Sequence, residues 1–424
     1  MYKFLAVWMV VGFASTTSVA QTESQSSSAI NPFKILPADT LTDNWFGLGR
    51  KLAQSGITID LNVTQLYQQN LGGGLSTHRR AGRYSGRYDL ELNADMGRLF
   101  NLPGGRVYML TRGGWSDGID ASSVGSIFGV DGLEFGDEPA DVWELYYEQK
   151  MFNDRMILRV GRVDLTCGFE CHDAPASFDC NTYANDEVTQ FLNNSLVNNP
   201  TIPFPDPGFG VILHITPVDW WYVTAAVVDA DADYRETGFN TAFHGPSNTF
   251  SIYETGIMPD FYSPKGRLPG AYRVGLWYDP QAKERFDGNG VKRDDAGFYI
   301  DCDQMVFKEN AVEDDSQGLG VFARYGYADG DVNEIKNFWS AGVQYQGLID
   351  GRDDDVLGVG VGQGLLSRKA DFTASNETAL ECYYNMQLTP WLHVSPDIQY
   401  IFNPGGDSDV SDAVVLGFRV QVTF

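Results

Sequence analysis

Arg83, Arg87 and Glu91 stand four residues apart, and so do Glu144 and Glu148. In extended chain, side chains alternate between faces, so residues two or four apart share a face. Arg112, Arg159, Arg273, Arg324 and Glu381 fall on the polar face of similar segments. A surface carrying both signs makes strong charge-assisted hydrogen bonds to neutral, hydroxyl-rich solutes. It does not form a single-sign ring of the kind that selects ions. The plainer reading of any one of these residues is an ordinary hydrated, paired charge, so the set carries more weight than its members. Asn193, within Phe191-Leu192-Asn193-Asn194-Ser195, adds a small polar segment inside a long connection from Asp164 to Pro207.

Catalysis and metal chemistry find little support. The five histidines (78, 172, 214, 244 and 393) sit in no recognisable motif with serine, and nucleophilic catalysis needs such a pair. The chain reads as a non-enzyme. Asp229, Asp231 and Asp233 superficially open a calcium loop. The sixth position is Tyr234 rather than Gly and the twelfth is Asn240 rather than Glu, which argues against an EF-hand. Cys167, Cys171 and Cys180 lie close together, with His172 nearby, at no strong zinc spacing. An oxidising compartment favours a bridge between two of them, with three free thiols as the alternative. Cys302 and Cys382 fall on apolar strand faces. Gly358, Gly360, Gly362 and Gly364 lack nucleotide-loop spacing and read as a small stripe on one strand face. No cofactor and no metal is implied.

Period-two alternation dominates the elements that must position these residues. From Ile57 onward about sixteen segments of roughly 8 to 13 residues alternate, long enough to cross a bilayer as tilted strands. Tyr88, Leu90 and Leu92 oppose Asp89, Glu91 and Asn93; Trp143, Leu145 and Tyr147 oppose Glu144, Tyr146 and Glu148. Ala413 to Phe424 alternates almost throughout, with Val414, Leu416, Phe418, Val420, Val422 and Phe424 on one face. Short links (101–105, 152–154, 217–219, 389–390) alternate with long polar ones (71–85, 116–141, 164–207, 230–248, 280–294, 404–412). Short turns at one end and long loops at the other mark an outer-membrane barrel, whose polar face is the lumen. The links 259–270 and 308–316 are long for turns.

Lys3, the apolar run Phe4–Ala14 and Ser18-Val19-Ala20 form an export signal over 1–20. Residues 21–40 read as a flexible leader and 41–56 as a short helical segment, capped by Thr42 or Asp43 and ended by Gly56. Residues 57–424 make the barrel. No later stretch has the roughly 18 consecutive apolar residues that a transmembrane helix needs. An exported chain without one enters a membrane only as a closed barrel. The formal net charge of −26 argues against nucleic acid and other anionic partners. The 26 Phe, 21 Tyr and 9 Trp are ample for aromatic girdles.

The chain resembles the carbohydrate-selective porins over nearly all its length beyond the signal. The carriers are LTDNWFGLGRKLAQSGITID (41–60), Asn70-Leu71-Gly72-Gly73-Gly74, Arg159-Val160-Gly161-Arg162 and Phe191–Ser195. The most specific stretch is Glu377–Pro404, with Asn403-Pro404-Gly405-Gly406, followed by Gly417-Phe418-Arg419 and Phe424. The resemblance implies an all-β, sixteen-stranded antiparallel barrel with loops folded into its channel. It implies passive uptake of small sugars across the bacterial outer membrane, among lipid and lipopolysaccharide, as a monomer or a trimer. The alternatives are a general or differently selective porin, or a structural or adhesive barrel. Read this way, the expected pore-lining set is Arg83, Arg87, Glu91, Arg112, Glu144, Glu148, Arg159, Asn193, Arg273, Arg324 and Glu381.

Overall fold

The computed structural model describes residues 39–424 except 167, 172–173, 234–247 and 313–314. The expected export signal and nearly all of the leader lie outside these residues, as do His172, Tyr234 and Asn240. So does Cys167, and with it the question of its bridge.

Among the described residues, sixteen long antiparallel strands close into one barrel. They are β1 (Ile57–Gly72), β2 (Gly82–Asp95), β3 (Gly105–Trp115), β4 (Asp141–Met151), β5 (Met156–Val163), β6 (Gly208–Val218), β7 (Trp221–Asp229) and β8 (Thr249–Ile257). The second half comprises β9 (Gly266–Asp279), β10 (Asp295–Lys308), β11 (Gly318–Tyr327), β12 (Ile335–Gln346), β13 (Val356–Leu366), β14 (Asn376–Thr389), β15 (Leu392–Phe402) and β16 (Ala413–Thr423). Each pairs with its chain neighbour, and β16 returns to β1 with Asn62 opposite Thr423 and Tyr67 opposite Phe418. The Phe424 N–H donates to Leu61 O at 2.9 Å beside that seam. Closure leaves no strand edge unpaired, which is the condition for a sheet to sit in lipid.

The turns at one end need left-handed backbone and use residues that tolerate it. Phe152, Asn153 and Asp154 all have positive φ between β4 and β5, and Asn101 (φ +58) ends the helical turn Met96–Phe100. This end is fringed by exposed aromatics: Phe46, Phe152 and Tyr262 are 90%, 75% and 76% exposed. Such side chains belong at a membrane interface. The long link before β9 holds a short strand, Asp260–Ser263, paired with residues 266–269. The helix Leu48–Ser55 packs at the same end and stops at Gly56 (φ +94), while the Trp45 indole donates to Ile59 O at 3.2 Å.

Alternation holds on most strands: Leu145, Tyr147, Tyr272, Val274, Leu276, Trp339, Val343, Leu380, Leu416 and Phe418 are exposed on the outside. Trp143 departs from the expected apolar face. A bulge pairs Leu110 with Glu144 but Thr111 with Val142, so Trp143 is the extra residue. It turns inward, where its indole N–H donates to Asp164 Oδ2 at 2.7 Å.

Candidate functional site in the barrel lumen

The inner wall is built by register. Asp60 of β1 stands opposite Glu91 of β2, Arg106 of β3 opposite Glu148 of β4, and Glu148 opposite Arg159 of β5. Farther round, Arg273 of β9 faces Asp301 of β10, which in turn faces Arg324 of β11. Apart from the acidic pair Asp60–Glu91, these facing residues are of opposite charge, and each strand's period of two keeps them all inward.

The 164–207 loop folds into this wall. Its helical turn Asn194–Val197 is capped by Asn193, whose Oδ1 accepts from Ser195 N. Five wall residues seize its backbone. The Glu381 carboxylate accepts the N–H groups of Leu192 and Asn193 at 2.6 and 2.7 Å. Arg324 donates to the carbonyls of Leu196 (2.5 Å), Ala184 (3.1 Å) and Asp179 (3.3 Å), and to the Asn185 amide oxygen. Glu254 accepts from Ser177 N and Asp179 N at 2.8 and 3.3 Å, and also holds the Tyr222 and Tyr299 hydroxyls. Arg419 donates to Glu187 O and Gln190 O at 2.7 and 2.8 Å, and Arg273 to Pro175 O at 2.6 Å. A buried backbone group left without a partner costs free energy, so a loop this deep needs such anchors. Burial pushes the Asp179 carboxyl up to about 7; Asp301 adds to the rise and Arg324 opposes it.

The glycine stripe on β13 is where the loop rests. A Cβ on Gly362 would lie 2.5 Å from Ser195 Oγ, and one on Gly360 would meet Leu196 and Phe191 at 3.0 Å. Only a bare backbone lets the loop come this close. Apolar contact completes the seat, with Phe191, Leu196, Val197, Phe322 and Tyr383 in one buried cluster.

The 116–140 loop also enters the barrel. Gln68 and Gln399 donate to Val130 O at 2.7 and 2.9 Å, and Glu377 accepts from Ile127 N and the Ser126 hydroxyl. Its Ile119, Val124, Phe128 and Val130 pack on Phe338, Leu366 and Val415 of the wall. Asp120, in this loop, is pushed up to about 7 by burial, with Glu377 and Asp131 adding to the rise and the Ser126 N–H opposing it.

Every residue of the expected pore set lies on the inner face or the in-folded loop, but they do not act alike. Arg324, Glu381, Asn193 and Arg273 hold the loop, and Arg87 pairs with Glu187 of that loop at 2.6 Å. Glu144 accepts from Asp164 N at 3.1 Å where the loop begins. Arg83 donates to Gly118 O of the other loop at 3.0 Å. Arg112 bonds Asp89 at 2.7 Å with its guanidinium 5.1 Å from the Trp143 ring centre. Arg159 and Glu148 pair at 2.8 Å, and Glu91 is buried on β2. The expected set left out Asp89, although alternation put it on the polar face, as well as Asp301, Asp303, Glu254 and Arg419. All sit on alternating positions of strands, so the signal was there and only the partners were not. It also missed Arg106, the second residue of β3. Among the described residues no group of His, Cys, Asp and Glu is arranged to hold a metal. Cys180 Sγ lies 3.0 Å from Ser177 O.

Residues 79–424 match the model of the carbohydrate-selective porin, OprB family. Porin B of Pseudomonas aeruginosa is 24% identical over 423 residues, covering 90% of each chain. The putative porin QuiX of Acinetobacter baylyi is 22% identical, covering 96% of this chain and 98% of its own. The fold is shared with the high-pH structure of Pseudomonas putida OprB, with a TM-score of 0.78 at 20% identity, covering 92% of this chain and 99% of that one. The low-pH structure of the same protein gives a TM-score of 0.58.

Proposed function

The chain belongs to the carbohydrate-selective porin, OprB family, and from that premise we propose that it is an outer-membrane channel for passive diffusion of small neutral sugars, narrowed by the 164–207 loop. The observation that carries this reading is the grip on that loop, which Glu381, Arg324, Glu254 and Arg419 fasten inside the barrel. A loop held from several sides of the wall narrows the path at a fixed place. The charges around it come in both signs, so a neutral polyol exchanges hydrogen bonds along the way without being trapped. The acidity of the chain disfavours phosphate-like anions. No step makes or breaks a covalent bond, and no cofactor is needed.

Proteoliposome swelling tests the proposal. Mono- and disaccharides should swell loaded vesicles faster than empty ones and faster than sugar phosphates do. Swelling no faster than in empty vesicles, or faster with phosphates, rejects it. Shortening the loop within 180–198 should raise single-channel conductance; unchanged conductance and sugar flux would remove the loop from the mechanism.

A further inference from the structure

Most of the lumen arginines have no surface left to offer a solute. The side chains of Arg87, Arg112, Arg159, Arg162, Arg273 and Arg324 are 9% exposed or less. Arg106 differs, at 24%. It stands one residue into β3, next to the turn that ends at Gly104, and so at the end of the barrel opposite the long loops. Nothing in the sequence reading singled it out.

Its surroundings are built rather than incidental. Arg106 Nη2 donates to Glu148 Oε2 at 2.8 Å, the same oxygen that accepts from Arg159 Nε at 2.8 Å. Nη2 also lies 3.4 Å from the Tyr146 hydroxyl, and Nη1 donates to Asn93 Oδ1 at 3.3 Å. The guanidinium carbon is 5.6 Å and 6.0 Å from the Tyr108 and Tyr146 ring centres. Glu148, Tyr108, Tyr146 and Asn93 are all buried, so this floor is fixed while the guanidinium edge meets water. Nη1 carries two hydrogens and Asn93 takes one, which leaves a donor for a passing hydroxyl. Exposed Asp60, across from Glu91 on the neighbouring pair of strands, adds an acceptor on the same inner face.

We propose that Arg106, oriented by Glu148 and Asn93, is an exit subsite that hydrogen-bonds the hydroxyls of a neutral sugar as it leaves the constriction. This inference rests on the sugar-channel reading above. The local charge favours neutral solutes: Glu148, shared by Arg106 and Arg159, offsets part of their positive charge, and exposed Asp60 repels a carboxylate or phosphate group. A charge-assisted bond on a half-open, hydrated site gives a weak, quickly released contact, which a conducting path requires.

The test is glucose block of ion current through the full-length protein in planar bilayers, with gluconate as the anionic comparison. Arg106→Ala should raise the half-blocking glucose concentration about three- to tenfold, the size expected for one charged hydrogen bond in partial contact with water. Conductance in sugar-free salt should change far less. Arg106→Lys keeps the charge but not the planar fork and should fall between the two. If glucose blocks the wild type and both variants alike, Arg106 is not a subsite and the sugar channel stands without it. If glucose does not block the wild type, the sugar reading fails and takes this inference with it. A greater loss of gluconate block than of glucose block would make Arg106 an anion site and overturn the proposal. Where Arg106→Ala does not assemble, judged by heat-modifiable migration, Arg106→Lys is read alone, and an unshifted half-blocking concentration overturns it.

Discussion

Replacing Arg324 by Met separates the loop from the wall without touching the lipid face. The arginine is fully buried, and its guanidinium serves three loop carbonyls, the Asn185 amide oxygen and the carboxylates of Asp301 and Asp179. Asp301 keeps Arg273 at 2.9 Å and the Asn181 amide at 3.0 Å, so it is not stranded. Asp179 keeps only uncharged donors, such as Asn199 N at 2.6 Å, and the three carbonyls lose a charged donor. Removing one partner of a buried charge network costs about 3–5 kcal/mol. At tenfold per 1.36 kcal/mol that multiplies the population of the released loop by about 100 to 5,000. Single-channel recordings should show larger conductance and a noisier open level, while the melting of the barrel moves little, because its ladders are untouched. The Asp179 carboxyl adds a signed pH dependence. Arg324 holds it down against burial, so losing Arg324 drives it up further. At pH 5 the carboxyl is then neutral and the penalty for a stranded charge disappears; at pH 8 it is ionised over a larger share of molecules. The excess conductance of the variant should therefore be smaller at pH 5 than at pH 8. An Arg324→Met protein that assembles normally with wild-type conductance and noise at both pH values would refute the anchoring argument.

Gly362→Val should unsettle the same loop from the other side, because its Cβ would lie 2.5 Å from Ser195 Oγ; overpacking of this kind costs about 1–3 kcal/mol. Gly72→Ala, whose Cβ meets nothing within 4 Å, should leave conductance and melting unchanged, and equal effects of the two would remove the glycine stripe from the account. The 116–140 loop should loosen as pH rises. Asp120 ionises near 3.8 when the loop is released and near 7 when it is docked, so the docked loop binds the extra proton between those values and stability is lost as pH climbs through them. Hydrogen exchange of the Ser123 and Gly125 amides, corrected for intrinsic rate, should be faster at pH 8 than at pH 5.5, and Asp120→Asn should abolish the difference.

The barrel was legible because period-two alternation is a local signal and lipid enforces it on every strand. The lumen was legible only by residue type. Arg324 and Glu381 were readable as inward charges from their own strands, but their partners are loop carbonyls and amides 128 and 189 residues away. No pattern along the chain records such a pairing. The rule that polar means inward also weakens where the loops enter. Ile212, Val228, Phe250, Ile252 and Trp277 face the interior and are buried, because Phe169, Phe178 and Ile202 of the loop pack on them. Leu66 likewise faces inward against Leu133, Val188 and Leu192, while Gln65 points outward, bonded to Ser85 O and the Trp115 indole. An apolar residue on the lumen face of a strand thus marks where a loop lies. A glycine stripe marks where that loop's backbone touches the wall. Read together, the two patterns locate the docked loop from the strands that hold it, which the loop's own irregular sequence does not do.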